Sequence, residues 1–375
     1  MSNAANQAYL NTRISVMATQ LFDPDTIGRL SQMQLPELAE RFSLAGLADD
    51  QLSAQTRSRA IEQTLIQVLL SELQILVRPM NPAERALVLA WGRKYALFNL
   101  KTLIRGKLHN LDPKEIRENL FELPACIRLV NLPAIRLADE DLFRAENVLE
   151  LLRQLEAGPH RLIARQAREI YEQRREPFAL EAAIDQRYYA GLVRQIMQFY
   201  DSNLQPLQHL IGTELDRIDL LWLLRFRFSY QLSPSETFFQ LVPSMRLLHR
   251  ERLLGLVNLD SFQRVLESLP TPLDEMLADS RTVLDVQRRM GRYVAREAHR
   301  VLRQSPSGVA RALAYLMLRE MNLLLLFALI QGRLLNLSTE VVEIALEITE
   351  PTCPWAGSAS GSGTGRAGAG LARAA

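Results

Sequence analysis

Cysteine is almost missing from this 375-residue chain: Cys126 and Cys353 stand alone and far apart. No disulfide framework can be built from them, and a reducing compartment is expected. Histidine is sparse too. His109, His160, His209, His249 and His299 never fall into an H-E-x-x-H spacing, and no Cys-x-x-Cys occurs. No metal site and no cofactor are therefore expected. A Walker loop and a G-x-S-x-G elbow are also lacking. One G-x-G-x-x-G match, Gly363 to Gly368, sits in a Gly-rich stretch with no strand pattern before it and is compositional.

Charge of one sign is lacking as well. Lys and Arg number 44 against 42 Asp and Glu, a net charge of +2. That balance argues against nucleic acid as a partner. Lysine itself is confined to Lys94, Lys101, Lys107 and Lys114, so nearly all the basic residues are arginine. Long apolar runs are missing: the longest, Leu323 to Ile330, lies between Arg319-Glu320 and Arg333. A bilayer crossing needs about 20 residues, so this run reads as a buried core helix. The first residues, MSNAANQAYLNTRISVM, show no basic region followed by an apolar stretch and do not read as a signal peptide.

What the chain has in abundance is helical pattern. Hydrophobic residues make up 48% of it, enough for a large core. Ile61, Leu65, Val68, Leu69 and Leu73 form a stripe at helical spacing. Asp23-Pro24-Asp25, Asp112-Pro113-Lys114-Glu115 and Ser233-Pro234-Ser235-Glu236 each put a capping side chain before a proline. In the latter two, Glu three places on predicts a capping box. Ser338-Thr339-Glu340 reads as a further helix start. Strand pattern is thin; Ile127 to Leu137 could hold a short extended piece, interrupted by Pro133.

One segment is written three times. It reads IRGKLHNLDPKE from Ile104, LRFRFSYQLSPSE from Leu224 and IQGRLLNLSTE from Ile330. Each copy ends a long apolar helix with basic residues and then starts a new helix. A second landmark precedes each copy: Ala60-Ile61-Glu62, Ala183-Ile184-Asp185 and Val283-Leu284-Asp285. A period of roughly 100–120 residues is longer than that of a solenoid and predicts three small helical domains. The expected boundaries are 1–122, 123–242 and 243–350, followed by a disordered Gly/Ser/Ala-rich tail over 351–375.

The candidate functional residues are the basic helix ends: Arg105 and Lys107, Arg225 and Arg227, and Arg333 with Gln331 beside it. Cations favour a helix C-terminus through the macrodipole, which explains most of the pattern structurally. If the three units share an axis, the same residues form a ring that can receive an acidic or polar partner. Glu214, Asp216 and Asp219 crowd one helix beside Arg217; a solvated or ion-paired face is expected there rather than an acid/base pair. No catalytic constellation is present in the sequence, and a soluble all-helical scaffold binding a peptide or RNA is an alternative reading.

Several pieces, in order, resemble the C subunit of the bacterial and archaeal V-type (A-type) ATPases, the homologue of the d subunit in eukaryotic V-ATPases. They are Tyr9-Leu-Asn-Thr-Arg13 with Met17, Phe98-Asn99-Leu100-Lys101 leading to Arg105-Gly106-Lys107, and Ile184-Asp185-Gln186-Arg187-Tyr188-Tyr189. Glu214 to Leu220 leading to Arg225, Ala314-Tyr315-Leu316, Arg319-Glu320 and Gly332-Arg333-Leu334 complete the series, over about residues 8–345. Asp219 stands where Asn is common, Phe226 replaces a small residue and Gln331 replaces an Arg. The resemblance implies an all-α funnel of three similar domains about a pseudo-threefold axis. It implies a non-catalytic rotor subunit of a V-type ATPase/ATP synthase, peripheral on the cytoplasmic face of the membrane. Its implied partners are central stalk subunits (D/F type) and the proteolipid c/K ring, with the membrane reached only through that ring.

Overall fold

Proline, capping side chains and apolar stripes translate into helix after helix. The computed structural model describes residues 3–44, 53–124, 127, 143–157, 161–174, 177–197 and 205–337. Among them there are helices and no strands, so the fold is all-α. The expected tail, the Ser338 helix start, both cysteines and the stretch from 128 to 137 lie outside the described residues.

The first part of the chain forms α1 (Asn3–Ala18), α2 (Pro24–Gln32), α3 (Leu35–Arg41), α4 (Ala54–Val77), α5 (Pro82–Gly92), α6 (Lys94–Leu108) and α7 (Pro113–Glu118). The middle forms α8 (Val148–Glu156), α9 (Arg161–Arg174), α10 (Pro177–Met197) and α11 (Gln205–Leu224), which runs into a π-helical turn over Arg225–Ser229. The last part forms α12 (Pro234–Gln240), α13 (Arg250–Val257), α14 (Phe262–Glu267), α15 (Leu273–Leu277), α16 (Val283–Gln304) and α17 (Gly308–Leu334).

The sequence stripe on α4 is real: Ile61, Leu65, Leu69 and Leu73 are buried, while Val68 is 36% exposed. The caps also form, with one correction. Ser233 and Glu236 make the reciprocal box expected of them. At α7 the Asp112 carboxylate instead accepts from the Lys114 N–H at 2.7 Å, and no box forms. A Ser hydroxyl tolerates a Glu beside it, whereas two carboxylates at one helix start repel each other.

Three apolar cores hold the helices together. The first gathers residues from Leu10 to Ile330 around α4, α5 and α17. The second joins Leu97–Leu120 to Phe143–Tyr188, and the third runs from Leu220 to Tyr293. The long helices pass from one core into another. α10 leaves the second core at Tyr188 and enters the first at Leu192. α11 starts in the first core and ends in the third, and α16 does the reverse. Each fully buried Leu or Ile contributes about 1.5–3 kcal/mol, so these crossings tie the cores into one structure.

Packing follows a closed order. α4 lies against α5, α5 and α6 against α10, α11 against α16, α16 against α17, and α17 returns to α4. α10 and α11 meet through aromatic rings: Tyr189 with Trp222 at 5.8 Å, and Phe178 with Phe226 of the π turn at 5.4 Å. α4 and α17 are both long and apolar enough, by length and composition alone, to cross a bilayer. Measuring only the run Leu323–Ile330 therefore understates α17, which is 27 residues long. Here α17 is packed by α1, α4, α11 and α16. A helix that is apolar on every side needs such a surround.

Candidate functional site

The repeated segment proves to be a helix cap built three times. Asn110, Gln231 and Asn336 hold φ near +54°, +56° and +50°. Asn tolerates this left-handed geometry better than most residues. After it, the Leu111 N–H bonds to the Gly106 carbonyl at 2.9 Å, and the Leu337 N–H to the Gly332 carbonyl at 2.9 Å. These six-residue closures satisfy carbonyls that a helix end leaves open.

The middle copy carries one residue more between its Arg and its Leu-Ser turn. Its structure absorbs that residue as the π-helical turn Arg225–Ser229, with the Tyr230 N–H on the Arg225 carbonyl at 2.8 Å. The Leu232 N–H then reaches the Phe226 carbonyl at 2.8 Å. A single inserted residue widening one helical turn is the usual origin of such a bulge. At Gly106 a Cβ would overlap Ile116 Cγ1 and Cδ1, so the first copy requires glycine. In the middle copy Phe226 packs its ring on Phe178 and Trp222 instead.

The five basic candidates all bond within the chain, and each reaches the repeat that follows its own. Arg105 Nε and Nη2 each donate to the Glu181 carboxylate on α10 at 2.5 Å. Arg225 Nη2 donates to Gln287 Oε1 on α16 at 2.9 Å. Gln331 at the third end donates to Ser58 on α4. The second basic residue of each copy reaches a carbonyl in the short helices ahead of that partner. Lys107 donates to the Phe143 carbonyl, Arg227 to that of Val257 at 2.9 Å, and Arg333 to that of Ser31 at 2.6 Å. Glu181 raises the Arg105 pKa, while burial lowers that of Lys107. Arg105 and Arg225 still expose much of their side chains, so their outer surfaces are open to a partner.

Sequence reasoning missed a second set of corresponding positions, deeper along the same helices. The offset of 226 residues between Ile104 and Ile330 places Lys94 opposite Glu320, and these two are bonded at 2.5 Å. The offset of 120 between Arg105 and Arg225 adds Glu214, which pairs with Arg217. By the same offsets Phe98, Ile218 and Leu324 correspond, and all three line one pocket of about 430 Å³. The signal was available: applying the repeat offset beyond the basic doublet finds these residues.

That pocket draws on all three repeats. Lys94, Phe98 and Lys101 come from α6, Tyr188 and Tyr189 from α10, Trp222 from α11, Gln287 from α16 and Glu320 from α17. Lys101 bonds Asp185 at 2.9 Å, and burial still pushes Asp185 upward in pKa. Lys94 lies 3.9 Å from the Trp91 ring centre, and Tyr95 donates to Glu320 at 2.5 Å. A larger groove of about 1130 Å³ runs along α4 beside α7, but the first repeat alone lines it.

The acidic crowd on α11 meets expectation in part. Glu214 pairs with Arg217 and Asp216 with Arg246, so both are ion-paired as expected, although Asp216 is fully buried; Asp219 is fully buried and neither solvated nor ion-paired. Asp216 accepts from Ser244 at 2.5 Å, from the Leu248 N–H at 2.8 Å and from Arg246 at 3.1 Å. Asp219 accepts from the Val242 N–H at 2.9 Å. Both fix the loop that follows α12. Among the described residues no group of three or more His, Cys, Asp or Glu is placed to hold a metal.

Residues 10–343 match the family model described as the ATP synthase (C/AC39) subunit. The C subunit of an A-type ATP synthase from Methanocaldococcus jannaschii is 23% identical over 359 residues, covering 91% of this chain and 86% of that protein. That of Methanosarcina mazei is 22% identical over 353 residues, covering 92% and 94%. That of Methanosphaera stadtmanae is 25% identical over 223 residues, covering 58% and 53%.

Proposed function

The chain belongs to the ATP synthase (C/AC39) subunit family, and on that footing we propose that it is a non-catalytic rotor component of a V-type (A-type) ATPase/ATP synthase. It links the central stalk, of D/F type, to the proteolipid ring and passes torque between ATP turnover and ion transport. It sits on the cytoplasmic face of the membrane and reaches the membrane only through the ring.

The observation that carries this reading is the pocket lined by corresponding residues of all three repeats. Phe98, Ile218 and Leu324 converge there, which supports three helical units about a pseudo-threefold axis, divided near residues 122 and 242. Such an axial recess suits the foot of a rotating shaft. Torque transfer needs a stiff body, and close-packed helices crossing between cores supply it. Arg225 lines the recess and Arg105 is exposed at the equivalent helix end; in this reading these two, with Lys107, Arg227 and Arg333, are the basic positions that meet an acidic partner surface.

Co-purification from native membranes tests the reading. The protein is expected to travel with a proteolipid ring and a two-component stalk. Recovery only as a free soluble species, from membranes holding an intact complex, overturns it. Arg105→Glu with Arg225→Glu is expected to leave a folded helical protein with weaker stalk binding; unchanged binding returns both residues to a purely structural role.

A further inference from the structure

We propose that the axial pocket recognises a protein segment carrying one basic and one acidic side chain, the first for Glu62 and the second for Arg225. This rests on the stalk-linking reading above and adds to it the chemistry of the inserted element.

The charges of the pocket are almost all settled within the chain. Lys94 pairs with Glu320, Lys101 with Asp185, and Arg217 with Glu214. Among the described residues, two charged side chains lining the pocket are left without an oppositely charged partner in contact. Glu62, on α4, is one, and Arg59 acts on it only at a distance. Arg225, at the start of the π turn, bonds only to the neutral Gln287. Both line the same pocket of about 430 Å³.

The repeat makes the unpaired carboxylate of Glu62 specific. Its counterpart Asp185 has Lys101 as a partner. Its other counterpart, Asp285, caps the start of α16 by accepting from the Thr282 N–H at 3.0 Å and from Thr282 Oγ1. Burial raises the Glu62 pKa, as expected for a carboxylate drawn from water without compensation. Glu62 also borders a neighbouring pocket of about 270 Å³ that contains Arg59, Arg105 and His109. Arg105 there is already satisfied by Glu181. A half-buried acid and a half-satisfied arginine in one recess form an uneven field, and a segment with the opposite pair of charges complements it. A pocket this size admits a few side chains rather than a whole helix. The fitting occupant is therefore the tip of the stalk element, with its charged side chains and a small apolar residue between Phe98, Ile218 and Leu324.

The test is calorimetric titration of the purified two-component stalk into the full-length protein. Wild type, Glu62→Gln, Arg225→Gln and the double variant are compared, with Glu267→Gln on the exposed side of α14 as control. Helical content and melting of each are checked by circular dichroism. Glu62→Gln and Arg225→Gln are each expected to weaken binding about tenfold and to flatten its salt dependence, with the control unchanged. Wild type that binds the stalk while both variants bind equally well overturns the inference and leaves the functional reading standing. Wild type that fails to bind the stalk overturns the functional reading itself.

Discussion

Lys94 Nζ lies 2.5 Å from Glu320 Oε2 although 226 residues separate them, the same interval that separates the two clear copies of the repeated cap. Position by position these residues are counterparts, and they have diverged to opposite charge so that they can touch. Identical residues would repel each other at the meeting point of equivalent helices. Divergence at such points is what a duplicated chain requires before its copies can pack around one centre.

That pairing gives the first prediction. Lys94→Glu places two carboxylates side by side at a site only about a quarter exposed. A loss of roughly 2–4 kcal/mol in urea unfolding is expected. The swap Lys94→Glu with Glu320→Lys is expected to recover most of it. No recovery in the double variant would mean that packing with Trp91 and Tyr95, rather than charge, fixes the site.

Glycine supplies the second. A methyl at Gly106 would collide with the Ile116 side chain. Gly106→Ala is expected to cost about 1–3 kcal/mol, relieved in part by Ile116→Val. Gly191 on α10 has open space around the same position. Gly191→Ala is expected to stabilise by about 0.5–1 kcal/mol through helix propensity. Thermal melts of the variants decide both claims.

Asp219 gives a pH-dependent prediction. Its counterpart Asn99 clamps Phe121 twice, accepting from its N–H and donating to its carbonyl, both at 2.8 Å. Asp219 keeps the first bond, to Val242, but its Oδ2 is buried without a partner. Burial raises its pKa well above the ordinary carboxylate range. The folded state therefore binds a proton that the unfolded state has released, so stability falls as pH rises from about 4 through the folded pKa. Asn at this position carries the missing donor permanently. Asp219→Asn is expected to gain stability over wild type increasingly from pH 5 to pH 8. Asp216, beside it, titrates in both proteins, and its Ser244 and Arg246 partners are unchanged, so the difference isolates Asp219. Parallel stability curves would sink the idea.

The clamps between repeats give a local prediction. Arg333 reaches the Ser31 carbonyl at the end of α2. Arg333→Ala is expected to cost about 1–2 kcal/mol. Hydrogen exchange is expected to quicken in α2 and the first turns of α4 while α13 stays protected. Arg227→Ala is expected to do the converse, loosening the end of α13 at Val257. Uniform change across the molecule in either variant would contradict a repeat-to-repeat clamp.

Much of this was legible in the sequence because helix ends are local events. A capping side chain and a proline at the first helical position act within a few residues, so Asp23 and Ser233 announce themselves without a fold. The all-α class and the threefold writing of the cap follow from the same local rules. The basic doublets were found too, but not what they hold. Arg105 and Glu181, or Arg333 and Ser31, meet only because packing brings one repeat against the next. The Asp112 box did not form, and of the acids on α11 Asp219 turned inward without the solvent or ion pair expected there, while Glu214 and Asp216 found arginines. The α12–α13 loop supplied donors that no helical wheel contains.

The sequence by itself determined where helices begin and end and that one unit was written three times, since those depend on side chains a few positions apart. Only the tertiary structure decided which charges are settled and which are left, because that depends on neighbours separated by as many as 247 positions, as for Glu72 and Arg319. Lys94 found Glu320 and Lys101 found Asp185. Glu62 and Arg225 were left facing the shared pocket without an opposite charge, and desolvation without a partner makes such groups the ones that favour an incoming segment.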